Sequence, residues 1–330
     1  MLSDYFPDLA GTAGDTQIYV LQGEQEGGSC LILGGTHANE LGGHMGAVLF
    51  VENAKVEAGT LYVIPRTNNS AFTHNDPQEG HPSTVHITTD EGNVREFIHG
   101  SRATNPVDQW PDPDVYVNYM GQSLSGSENR NINRTYPGKA DGTLTEMMSY
   151  GIVQLINTEN IDVTVDLHEA SPEYPVINAL IAHERAMNLA SNVVVDMQME
   201  GVQISLEPSP TDLRGLTHRE LGDHTDTLAL LMEAPNPAQG RLRDRTDEAL
   251  VLTGKSETYV KAGEIGQLYV PYDENGWPIE VRCARHVFGI ERILANYSEM
   301  YEEPIIVTGM PSYDELVKNG MGPYLNEPTT

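Results

Sequence analysis

The chain has 330 residues, 39% of them hydrophobic, and a formal net charge of −29 from 48 acidic against 19 basic side chains. That length admits one large α/β domain or two smaller ones. The charge disfavours nucleic acid and anionic membranes as partners, no run approaches the ~18 apolar residues of a membrane helix, and two cysteines, Cys30 and Cys283, are too few for a disulfide framework or a thiolate metal site.

Residues 1–14 lack the basic region and apolar run of a secretion leader, so the cytoplasm is the default location unless a preceding segment has been removed. Residues 16–23 and 29–33 read as strands, the second an unbroken apolar run opened by Cys30. A helix is predicted over 41–51, where Gly42, Gly43 and Gly46 lower the propensity but permit close packing on a sheet. Residues 60–64 form the next strand, and this alternation points to a sheet with helical layers. The stretch 72–129 is rich in Gly, Pro, Asp, Asn, Ser and Thr and reads as an insertion near the mouth of a site. Inside it, Asp90-Glu91-Gly92-Asn93 is the predicted turn of a hairpin joining 85–88 to 94–98. His74, His81, His86 and His99 show no compact ligand spacing and are predicted to lie on the surface. Thr143 and Glu146 make a capping box for a helix over 143–157, with Met147, Ile152, Leu155 and Ile156 on its apolar face. Further strands are predicted at 161–167, 176–182 and 227–232, and helices at 184–199 and 282–301.

Three of these strands end in side chains that bind metal or move protons. In Gly34-Gly35-Thr36-His37-Ala38-Asn39-Glu40, two glycines permit a sharp turn, and His37 and Glu40 stand three residues apart across a strand-to-helix junction, with Glu40 in the helix's first turn. His168 follows the strand 161–167. Asp166 shares its face and is placed to support it from behind, whereas Glu169 alternates to the other side. Glu233 closes the strand 227–232, where a passive buried carboxylate is costly. In an open α/β sheet such strand ends meet in one crevice. Two histidines, a glutamate and a second glutamate as base make the composition of a hydrolytic zinc site with an open position. A fourth element, Asn129-Arg130-Asn131-Ile132-Asn133-Arg134-Thr135-Tyr136-Pro137-Gly138, puts two arginines within five positions in a chain poor in basic residues, which suggests a pocket for an anion such as a carboxylate. The acidic excess reads first as a solvated surface, and second as a field that draws cationic substrates inward.

Together these motifs, in order from Gly34 to Pro237, resemble the zinc carboxypeptidase superfamily, and most closely its succinylglutamate desuccinylase and aspartoacylase branch. The resemblance implies a single domain over 1–330, with a mixed sheet flanked by helices, a motif core at 29–240, the insertion at 72–129 and a C-terminal helical extension at 280–330. It implies one zinc per chain held by His37, Glu40 and His168, with Glu233 as general base and Asn133 and Arg134 on a substrate carboxylate. Where aspartoacylase-like members carry an arginine that polarises the scissile carbonyl, this chain has Ser125 and Gly126. Arg130 and Arg102 are the candidates for that place, Arg130 being counted with the substrate-binding residues. The expected activity is deacylation of an N-acyl amino acid, with a carboxypeptidase acting on peptide C-termini as the alternative; the partner in either case is a small molecule or peptide with a free carboxylate. A zinc-binding module without activity is a third reading, against which Glu233 argues. A serine hydrolase is a fourth, against which Gly121-Gln122-Ser123-Leu124-Ser125 argues by breaking the nucleophile-elbow spacing.

Overall fold

The apolar runs 30–33, 61–64, 163–167 and 229–232 are completely buried, and strands buried on both faces belong at the centre of a parallel sheet covered by helices. The structure, a computed structural model describing residues 1–76 and 80–328, has that arrangement. In chain order the strands are β1 (Tyr19–Gln22), β2 (Gln25–Leu33), β3 (Lys55–Ile64), β4 (Thr84–Thr88), β5 (Val94–Ile98), β6 (Val115–Val117), β7 (Ser123–Ser125), β8 (Val163–Ala170), β9 (Ala179–Ala182), β10 (Ser205–Pro208), β11 (Leu228–Pro235) and β12 (Ile306–Thr308). The helices are α1 (Leu41–Asn53), α2 (Leu144–Glu159), α3 (Met187–Met199), α4 (Thr217–His224), α5 (Glu248–Thr253), α6 (Glu257–Glu264), α7 (Ile279–Tyr301) and α8 (Tyr313–Asn319). The main sheet runs β1-β3-β2-β8-β11-β9-β10, with β12 also on β3. Its centre, β3-β2-β8-β11, is parallel; β1 and β12 pair antiparallel to β3, and β9 antiparallel to β11. The sheet is therefore mixed, as the sequence led us to expect.

Alternation along the strands sorts their side chains between two layers. Cys30, Ile32, Val163, Val165, Leu167, Leu180, Leu230 and Met232 pack under α1, α3 and α7. Leu31, Leu33, Tyr62 and Ile64 face α2 and the N-terminal turns. Asp166 and His168 on β8 and Glu233 on β11 have the parity of this second face, and Glu169 that of the first.

Two glycines fix the junction that carries the first motif. Gly35 adopts φ +62°, where a side chain is strained, and a Cβ there would lie 2.6 Å from the Pro65 carbonyl. At Gly43 on α1 a Cβ would stand 2.3 Å from the carbonyl oxygen of Leu167, so α1 rests on β8 backbone to backbone.

Several expectations need correction. β8 runs through His168 and Glu169 to Ala170, and β11 through Glu233 to Pro235, so these residues are within strands rather than beyond them. Glu40 is the N-cap of α1, not a first-turn residue, and its side chain caps nothing. In the inserted region the expected hairpin forms from β4 and β5, a second forms from β6 and β7, and residues 77–79 lie outside the described residues. His99 is buried and its ring packs against that of His81, whose side chain is mostly enclosed; of the four histidines expected on the surface only His86 is exposed. The C-terminal extension is not purely helical, because β12 returns to the sheet edge between α7 and α8. Among the described residues, no helix is long and apolar enough to cross a membrane, and both cysteines are buried and free.

Candidate metal centre and substrate cavity

The strand β2, the Gly34-Gly35 turn and the N-cap of α1 carry His37 and Glu40 to the carboxyl end of the sheet, where β8 presents His168. His37 Nδ1 lies 2.6 Å from Glu40 Oε1, and His168 Nδ1 lies 2.9 Å from Glu40 Oε2. The two rings stand edge to face with centroids 4.8 Å apart. All three residues are buried, and their ligand atoms lie within 4.8 Å of one another.

The outer nitrogens of both rings are engaged as well. His168 Nε2 is 2.8 Å from Asp166 Oδ2, and Thr36 Oγ1 donates to Asp166 Oδ1 at 2.6 Å. His37 Nε2 is 3.0 Å from Asn131 Oδ1. That oxygen must be an acceptor, since it also receives the Asn133 amide at 3.1 Å while Asn131 Nδ2 donates to Glu128 Oε2 at 2.8 Å. Each imidazole thus has oxygen acceptors at both ends, while a neutral ring has one proton to give. In neutral rings with the outer nitrogens donating, both Nδ1 lone pairs would point at the Glu40 carboxylate. A cation among these atoms resolves the repulsion, and two imidazoles with one carboxylate are a donor set suited to zinc. The protein residues therefore fit such an ion.

The titration of these groups shows the same demand for positive charge beside Glu40, which a proton on His168 or a metal ion meets. Burial raises the Glu40 carboxyl, but His37 and His168 outweigh it and hold the group well below the usual range. Burial lowers His168, yet Asp166 and Glu40 outweigh that and hold it well above its usual value. Burial and the Arg102 charge push His37 down.

Glu233 stands beside His168 in the β11–β8 register, with Ala179 on its other side. Glu233 Oε2 is closed off from solvent with no hydrogen-bond partner, and burial pushes the carboxyl up to about 8. Glu169, as its parity requires, turns the other way. It pairs with Arg282 Nη1 at 3.0 Å, accepts from the Gly42 amide at 3.1 Å and from Asn236 Nδ2 at 2.9 Å, and its own amide donates to Glu40 Oε2 at 3.0 Å.

These groups open onto a cavity of about 560 Å³. Asn133 and Arg134 line it; Arg130 does not. Arg130 forks onto Asp112 at 2.7 and 2.9 Å and donates to the Thr104 carbonyl at 2.8 Å, so its guanidinium is spent on tying loops together. Arg102 is in the cavity instead, with Nη1 3.3 Å from both His37 Nδ1 and Glu40 Oε1. Asp76 accepts from the Arg102 amide, Ser101 Oγ and Asn39 Nδ2, which anchors the Arg102 loop to the metal-binding turn. The Asn133 side-chain oxygen Oδ1 accepts from the amide and hydroxyl of Thr217, at 2.8 and 3.0 Å, leaving its NH₂ for the cavity. Arg134 Nη1 donates to the Asn133 backbone carbonyl at 2.6 Å, and its Nε is 3.7 Å from Glu128.

The sequence reading assigned no role to Asn131 or His218. Asn131 caps the turn ahead of Asn133, and an asparagine at that point of the motif was a usable signal. His218 lines the cavity from α4 with Nδ1 2.7 Å from Ser209 Oγ, and burial pushes it down to about 3. No local pattern marks it.

No protein-family model and no curated protein matches the sequence. Among solved structures, the chain is similar to the tripeptide-bound cell shape determinant protein Csd4 from Helicobacter pylori, with TM-score 0.53 and 12% identity over 93% of this chain and 60% of that one. It is also similar to the mDAP-bound form of Csd4, described as a D,L-carboxypeptidase, with TM-score 0.50 and 13% identity over 91% and 59%. A succinylglutamate desuccinylase from Silicibacter gives TM-score 0.49 and 15% identity over 90% and 63%. The chain spans about 60% of the length of the Csd4 protein it matches. At such identities the likeness is one of fold: the mixed sheet is the carboxypeptidase-like one that the motifs implied.

Proposed function

We propose that this chain is a zinc-dependent hydrolase that cleaves an amide bond in a small substrate bearing a free carboxylate. The observation that carries this reading is the pair of imidazoles with acceptors at both ends, next to a glutamate that has no partner of its own. A structural polar cluster satisfies its members with neutral groups; this one needs positive charge between its two rings and the Glu40 carboxylate, and leaves Glu233 free.

Bound zinc supplies a Lewis acid that lowers the pKa of water to about 7. Glu233 takes a proton from the attacking water and later delivers it to the leaving nitrogen. Its raised carboxyl suits both halves of that exchange. Arg102 is the donor for the oxygen that becomes negative at the scissile carbonyl. Arg134 receives the substrate carboxylate as a fork, with the Asn133 NH₂ beside it. Asp166 and Asn131 hold the ring tautomers.

Deacylation of an N-acyl amino acid is the first reading, because the motif wording lies nearest that branch. Release of a residue from a peptide C-terminus is the second, favoured by a cavity volume of about 560 Å³ that also admits a short peptide. Elemental analysis of the purified chain, followed by a screen of N-acyl amino acids and short peptides with and without chelator, tests the proposal. Stoichiometric zinc and chelator-sensitive release of an amine are expected. Activity that survives complete removal of metal overturns it.

A further inference from the structure

One wall of the cavity has no part in the chemistry above. Ile181 on β9 faces Leu231 on β11, and Glu207 on β10 faces Ile181. These three share the sheet face that carries Glu233, and Ala179, Val176, Ile181 and Leu231 form a small apolar cluster there. Glu207, at the end of this wall, is half-buried. It differs from the other carboxylates lining the cavity. Glu40 is held by two imidazoles and Glu169 by Arg282, and Glu233 is the base; among the described residues Glu207 has neither a hydrogen-bond nor an ion-pair partner.

A carboxylate beside apolar side chains is stabilised by a counter-charge. None comes from the described residues: among them, Arg241, also on the cavity, has only its backbone amide bonded, to Glu173. A single carboxylate offers too few ligands for a metal ion of its own. An organic cation with an apolar stem satisfies both the wall and its end. The separation asks for an extended arm. Strands lie about 4.8 Å apart and rise about 3.3 Å per residue, so Glu207, two strands from Glu233 and one same-face row back, is roughly 12 Å from it, Cα to Cα.

We infer that Glu207 is a specificity-determining residue, and that the substrate is zwitterionic: a carboxylate for Arg134 and Asn133, and an ammonium on an aliphatic arm laid along Ile181 and Leu231 and ending at Glu207. This rests on the amide-hydrolase reading of the same cavity. The net charge of −29 acts in the same direction, concentrating cations at the surface.

The test compares lysine with norleucine, equal in carbon chain and different only in the charge. With the acyl or peptidyl group that is hydrolysed fastest, kcat/KM is measured for the lysine and norleucine forms on the wild type and on Glu207→Gln. Calorimetry of free lysine and free norleucine on the zinc-loaded chain gives the same comparison without turnover. A lysine preference of about tenfold or more in the wild type, falling towards one in Glu207→Gln, is expected in both measurements. A ratio near one in the wild type, or an unchanged ratio in the variant, overturns the assignment even when both substrates are hydrolysed. If nothing is hydrolysed, the hydrolase reading fails and calorimetry decides for Glu207: tighter lysine binding lost in the variant sustains it, and equal binding of the two amino acids overturns it.

Discussion

Replacing Asp166 by asparagine changes one atom at the back of the metal centre. Asp166 is wholly buried, takes the Thr36 hydroxyl on Oδ1 and faces His168 Nε2 with Oδ2 at 2.8 Å. Asparagine keeps its oxygen on Thr36, so its NH₂ faces the ring. Two donors cannot share that contact, and His168 must carry its proton on Nδ1, the atom aimed at Glu40. The charge-assisted bond lost is worth about 1.5–3 kcal/mol, which converts to roughly 10- to 150-fold weaker zinc binding, in line with the 10–100-fold loss typical when the partner of a metal-bound histidine is removed. Competition with a chromophoric chelator at neutral pH measures it directly, and a parallel melt of the metal-free chain separates the effect from unfolding. A dissociation constant within a factor of three of wild type, in a folded variant, refutes the argument that Asp166 selects the tautomer.

Glu233→Gln keeps the volume and loses the base, so zinc content should be unchanged while kcat falls by ~10²-fold or more; turnover near the wild-type rate removes Glu233 from the mechanism. Arg102→Ala should lower kcat by about 10²-fold through loss of one oxyanion donor, whereas Arg130→Ala should mainly lower the melting temperature; comparable kcat losses in both would contradict the separation of their roles. Arg134→Lys keeps the charge and loses the fork, so KM should rise for carboxylate substrates far more than for the matching amides, and equal losses on the two make Arg134 structural. Arg282→Leu strands the Glu169 carboxylate in the interior and should cost about 3–5 kcal/mol in denaturant unfolding; a loss under ~1 kcal/mol means that Gly42 and Asn236 alone suffice for Glu169.

Legibility of the fold followed burial. The apolar runs at 29–33, 60–64, 161–167 and 227–232 are strands because both their faces are covered, and a continuous apolar pattern records that directly. Glu169 and Asp166 could be assigned to opposite faces from parity alone, and the structure places them so. The short elements α4, β10 and β12 escaped because their definition is tertiary: β10 is a strand by pairing with β9, and β12 by returning to β3 over a long separation. The trio His37, Glu40 and His168 was legible because His168 follows a strong strand signal, and His37 and Glu40 follow another through the glycine turn. Arg102 was ambiguous because its place depends on Asp76 and Ser101 folding the inserted loop back over Asn39, and no spacing encodes that. Arg130 looked equally suitable until Asp112 was seen to occupy it. The buried pair His81 and His99 was misjudged for the same reason, since an irregular segment carries no periodicity from which to read its interior.

The backbone contact between Gly43 and Leu167 also sets the tolerance of the site to ion radius. Glu40 belongs to the helix and His168 to the strand, and at Gly43 the helix meets the strand's carbonyl rather than a side chain that could be trimmed or lengthened. Ligand separation is then a property of helix-on-sheet seating, where zinc asks for ligands at about 2.0–2.1 Å and calcium for 2.3–2.6 Å. Directed evolution towards a larger ion would therefore find little purchase in exchanging the ligands themselves. Its productive substitutions would fall at positions 42 and 43, where one added methyl lifts α1 and opens the mouth of the chelate.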